Sequence, residues 1–265
     1  MRTPCNRRCF RGTGPDWILR ADEAGLPMLP GESESAFRER LRVMEKELAA
    51  LDSETAALPP VPTAVRERAQ QIVAKLYGIA PTWVAALFST RETGRFSAGV
   101  TGLTDDRTPI IFLSGAFERK VRHRGYTAEE TLAHEMVHAA RSAFPDSVYE
   151  EYFPCQVHAS RFRRSAGNFF RSWYIPVLFF GGLCAAVLHP VFIVLPLLLL
   201  LREMQLRLRL RRAAETLCRV GLEPGPVLLR LSDREIHTLS GGELPDFMQD
   251  GTSVRREVLY RRFSR

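Results

Sequence analysis

An α+β fold is what the sequence predicts, on three observations: two amphipathic helical stripes near the start, short β-like runs after them, and then a well-capped helix. From a cap at Ser33 or Ser35, the residues Phe37, Leu41, Met44, Leu48 and Leu51 recur at alternating steps of four and three. That spacing puts them on one helix stripe, which needs a partner to cover it. Pro59, Pro60 and Pro62 end this helix. A second helix from about Thr63 to Tyr77 places Val65, Ala69, Ile72 and Leu76 on one side before Gly78 stops it. Between Pro81 and Leu113 the pattern changes to Trp83 to Phe88, Phe96 to Leu103 and Ile110 to Leu113, with Thr104 to Arg107 as a turn. Such runs predict a small antiparallel sheet. Thr127 followed by Glu130 reads as a capping box, opening a helix through about Ala143 that Pro145 terminates. Residues 1 to 31, rich in Gly and Pro, predict a loosely ordered arm on which Trp17, Ile18 and Leu19 dock.

Composition narrows the partners more than the chemistry. The net charge of +7 raises anionic membrane surfaces and nucleic acid. Only Lys46, Lys75 and Lys120 are lysines, so the charge is almost all arginine, which a genome rich in arginine codons explains equally well. One basic, aromatic-interleaved stretch exists, Arg161 to Arg171 with Phe162, Phe169 and Phe170, and its place directly before an apolar segment favours lipid headgroups over nucleic acid. Five scattered cysteines fit a reducing compartment rather than a disulfide framework, with Cys5 and Cys9 read as free thiols. No apolar run follows the early arginines, so the start of the chain is expected to stay in the cytoplasm.

The helix after the sheet carries His134-Glu135-Met136-Val137-His138. Four residues apart on a helix, the two imidazoles project from one face, one turn apart, so both can bind one Zn2+. Glu135, about 100° round from His134, is placed to take a proton from a water attacking a carbonyl carbon. The competing reading is a helix with two partly buried histidines and a surface glutamate. Arg141 shares the histidine face, as a salt-bridge partner for Glu150 or an oxyanion stabiliser. Tyr149 and Tyr152 are either hydrogen-bond donors to a tetrahedral intermediate or the packed wall of a cleft.

On these residues, and on Tyr149-Glu150-Glu151-Tyr152-Phe153, the stretch from about Pro81 to His158 resembles the zincin metallopeptidases, and within them the gluzincins. It also looks like families of integral-membrane zinc proteases. The resemblance implies a zincin-like fold, peptide-bond hydrolysis of a protein or peptide substrate, and a metal held by His134, His138 and a following glutamate. Glu151 is the expected third ligand and Glu150 its support, with His158 as the alternative. Ile110 to Leu113 resembles the cleft-bordering strand that pairs with an extended substrate.

From Trp173 to Leu201 no side chain is charged, a length that reaches across a bilayer, with arginines on both flanks. Pro176, Gly181, Gly182, His189, Pro190 and Pro196 break a straight helix. A re-entrant hairpin turning near His189-Pro190, or a single kinked span, is therefore expected, anchoring the chain to the cytoplasmic membrane with its catalytic part in the cytoplasm. His189 reads as a turn residue. Leu206, Leu208 and Leu210 alternate with arginines, which spreads charge around a helix, and Ser232 to Glu235 marks a capped helical element in the tail. The expected organisation is an arm and helix over 1–59, the zincin-like domain over 60–165, the membrane segment over 173–201 and a basic region over 202–265. The rival to an anchored zinc peptidase is a membrane-associated scaffold that keeps the histidines, or a bound zinc, without turnover.

Overall fold

The computed structural model describes residues 16–95, 97–145, 148–170 and 174–264. The arm up to residue 15, the strand start at Phe96 and the segment start at Trp173 lie outside them. The chain forms two compact units, 1–145 and 146–265.

The first unit begins with α1 (Trp17–Glu23) and α2 (Glu34–Glu54). Ser33 caps α2, its side chain accepting from the Ala36 amide, and the stripe Phe37, Leu41, Met44, Leu48 and Leu51 is buried as its spacing requires. Trp17 stacks on Phe37 with ring centroids 5.3 Å apart, so the start of the described chain is packed and helical rather than a loose arm. Next, α3 (Thr63–Tyr77) ends at Gly78, in the left-handed conformation that suits glycine. Its buried face is Ala69, Val73 and Tyr77, one position round from the expected stripe.

Three strands follow: β1 (Ala85–Phe88), then, after the single-turn helix α4 (Thr90–Thr93), β2 (Gly99–Leu103) and β3 (Pro109–Leu113). The order is β1-β3-β2, with β1 parallel and β2 antiparallel to β3, so the sheet is mixed where an antiparallel one was expected. A strand that returns by hairpin from β2 takes the slot beside β1, and its direction then matches β1. The residues Ile110 to Leu113 thus form the central strand, with both edges already hydrogen-bonded. They leave no edge for an extended substrate, which corrects their assignment as the substrate-pairing strand. A two-residue ribbon, β4 (Arg122–His123) with β5 (Tyr126–Thr127), leads into α5 (Ala128–Arg141), which packs on α3, β2 and β3. Thr127 caps α5 by accepting from the Glu130 amide.

In the second unit, the single-turn α6 (Tyr152–Cys155) and α7 (Arg161–Ala166) precede α8 (Tyr174–Ala186) and α9 (Val194–Arg219). A short 3-10 turn at Pro190–Ile193 joins α8 to α9, and His189 caps it by accepting from the Val191 amide through Nδ1. Gly182 allows the close packing of α8 on α9: a Cβ there would stand 2.7 Å from Pro196 Cδ. Among the described residues, no helix is long and apolar enough to cross a membrane. This overturns the expected membrane segment as an element of the fold. The break at His189-Pro190 leaves α8 only 13 residues, about 20 Å of helix, and the apolar part of α9 ends at Arg202.

Beyond Arg202, α9 has a clean apolar stripe after all: Leu206, Leu210, Ala213 and Leu217 are buried while Leu208 is exposed. These face α11 (Asp233–Ser240), which follows α10 (Pro224–Leu229) and carries a complete capping box between Ser232 and Glu235. After α12 (Asp246–Gln249), α13 (Val254–Phe263) sends the buried Arg255 to Glu235 and to the Arg230 carbonyl.

Cys155, buried in this unit, has its thiol pushed up from 9.0 to about 12, first by burial and then by the Glu151 charge. A folded chain that holds this proton longer than the unfolded one loses stability as pH rises from about 9 toward about 12, by about 1.4 kcal/mol per pH unit. Urea unfolding across that window should therefore fall more steeply for the native chain than for Cys155→Ala; parallel curves would refute it.

Candidate metal centre

From Thr131 to Arg141, every side chain of α5 is buried except His134 and His138, which are half-buried. Leu132, Ala133, Met136, Val137, Ala139 and Ala140 fill the core around the helix, so packing alone opens its surface at the two imidazoles. Their Nε2 atoms stand 3.2 Å apart, with ring centroids at 4.9 Å. Two nitrogens at a zinc–nitrogen distance of about 2.0–2.1 Å in a tetrahedral site are separated by roughly 3.3 Å. The pair is thus already at chelating distance. The third candidate ligand, Glu151, belongs to the second unit. Two imidazoles and a carboxylate form a donor set that fits Zn2+ and leaves a fourth position open.

Glu151 sits in a turn at the residue before α6 and is half-buried, whereas Glu150 is exposed. His158 is buried. Arg141 is buried with its guanidinium 4.9 Å from the centre of the Phe144 ring. Tyr149 is buried, which pushes its phenol up to about 12, and burial raises the half-buried Tyr152 as well. His189 stays a turn residue, as read from the sequence.

Glu135 is buried and turned toward β2. Thr101 Oγ1 donates to Glu135 Oε2 at 2.7 Å and lies 3.2 Å from its main-chain carbonyl. The edge strand therefore sets the direction of the carboxylate. Gly99 matters for the same reason: a Cβ there would lie 2.7 Å from Thr131 Cγ2 and 3.0 Å from Glu135 Oε1. Sequence reasoning passed over Thr101 and Gly99, because they meet α5 only through a contact more than thirty residues long. Their visible trace is the pair of glycines around a threonine in Gly99-Val100-Thr101-Gly102. Gly99→Ala should cost about 1–3 kcal/mol, the range for inserting a methyl into filled space, read by chemical denaturation. An unchanged midpoint would mean that β2 yields at no cost.

Compared with protein-family models, with curated proteins and with solved structures, the chain matches none.

Proposed function

We propose that this protein is a zinc-dependent peptide hydrolase, with His134, His138 and Glu151 as the metal ligands and Glu135 as general base. The observation that carries the reading is the pair of imidazoles at chelating distance on a helix otherwise buried from Thr131 to Arg141. Zinc, when bound, supplies a Lewis acid that polarises a scissile carbonyl and acidifies water. Glu135 takes the proton of the attacking water and passes it to the leaving amine. Thr101 holds the carboxylate in one orientation, which saves the entropy of aiming it. The edge position of β2 leaves one side of that strand for an extended peptide, taking over the role first assigned to Ile110–Leu113.

One observation favours the second reading, a zinc-binding scaffold without turnover: the Glu135 carboxylate is buried and already bonded to Thr101 within the protein. Metal analysis of the purified chain, paired with cleavage of an unfolded protein before and after chelation, separates them. One zinc per chain with chelator-sensitive cleavage supports the hydrolase. One zinc without cleavage leaves the scaffold, and failure to take up zinc removes both.

A further inference from the structure

The second unit holds a cavity of about 450 Å³ that no step of the proposed chemistry uses, a size that suits a small molecule. Arg161 and Arg164 from α7 and Arg207 and Arg211 from α9 line it. What holds these guanidiniums in place leaves most of their charge intact. Arg164 Nη1 donates to the carbonyls of His158 and Ala159 at 2.9 and 3.1 Å, which fix its direction without neutralising it. Arg207 donates to the Ser165 carbonyl and, at 2.9 Å, to the carboxylate of Glu203. Arg161 and Arg211 are exposed and have no carboxylate partner among the described residues. Arg207 and Arg211 stand four apart on one helix, a spacing at which like charges repel. Four positive charges set against one carboxylate favour an anion between them, and planar forks of N–H donors match the oxygens of a phosphate.

The rest of the lining indicates what the phosphate carries. Tyr152, at the start of α6, is half-buried in the same wall. Burial raises its phenol and the charges of Arg207 and Arg211 oppose that rise, so the ring lies within reach of both guanidiniums. Met204 and Leu208 complete the wall and are 57% and 46% exposed. Bare thioether and isobutyl groups beside arginines offer a surface that inorganic phosphate does not use and that a flat ring covers. An anion with an apolar part engages both kinds of wall.

We propose that this cavity binds a soluble phosphate monoester with an aromatic organic part, the phosphoryl group among the four guanidiniums and the ring over Met204 and Leu208 beside Tyr152. Neither zinc nor turnover enters into it. Calorimetric titration of the full-length chain with phenyl phosphate and with inorganic phosphate tests it, in 0.15 M salt, where exposed charges farther off than about 8 Å are screened. Phenyl phosphate should bind at one site per chain and more tightly than inorganic phosphate. Arg161→Gln with Arg211→Gln, both at exposed positions, should weaken phenyl phosphate about 100-fold, at roughly tenfold per charge-assisted hydrogen bond lost. Arg202→Gln with Arg212→Gln removes the same charge from exposed positions of α9 that do not line the cavity, and should leave both affinities unchanged. Met204→Ser should weaken phenyl phosphate alone. Thermal melts of all these variants should match the native chain, so that lost binding reads as a lost site. Equal losses in the two double variants would reduce the arginines to a diffuse positive surface and overturn the site. Equal affinity for the two probes overturns the monoester, and an RNA oligonucleotide that binds where phenyl phosphate does not reassigns the arginines to a polyanion.

Discussion

Glu135→Gln is expected to leave zinc content unchanged and to lower turnover by about 10²–10⁴, the usual contribution of a positioned general base. Glutamine is nearly isosteric with glutamate, and its amide oxygen still accepts from Thr101 Oγ1, now at 2.7 Å from the carboxylate. The buried hydrogen bond is kept, so α5 and the imidazole pair stay where they are. Only the capacity to receive a proton is removed. Zinc per chain and cleavage of an unfolded substrate should be measured on the same preparation, so that a loss of fold shows as a loss of metal. If cleavage continues at the native rate, Glu135 is not the base, and its bond to Thr101 is its whole role.

What the sequence made legible is what local spacing encodes. The α2 stripe, the α3 boundaries, the cap at Thr127 and the capping box at Ser232 depend on residues three to five apart, and all are present. The histidine pair belongs to this class, since one turn of helix sets its geometry. Errors arise where long-range packing decides. In α3, the expected stripe Val65, Ala69, Ile72 and Leu76 and the buried set Ala69, Val73 and Tyr77 share Ala69 and are nearly equivalent, and the contact with α5 selects the second. The sheet order depends on where a hairpin returns, which no strand's own composition records. The break expected at His189-Pro190, a local signal, is where α8 gives way to the 3-10 turn before α9. Leu206 and Leu210 looked interrupted by arginine, yet one turn of α9 separates them and their stripe is buried against α11.

The third ligand is where the expected effect is largest after the base. Three protein ligands leave a zinc ion one open position, and losing one of them removes a bond that two imidazoles cannot replace. Glu151→Ala should therefore leave the purified chain without stoichiometric zinc and without cleavage. Glu150 is exposed where Glu151 is half-buried. Glu150→Ala should accordingly act as a change beside a ligand, weakening zinc by about 10–100-fold at most. The residue tests should be run by competition against a chelator, because a tenfold change is invisible in stoichiometry when binding is tight. His158, a buried side chain, provides the control. His158→Gln should keep zinc and cleavage even if it lowers the melting temperature. The opposite pattern, zinc retained in Glu151→Ala and lost in His158→Gln with the fold intact, would move the third ligand to His158 while leaving the imidazole pair and Glu135 in their roles.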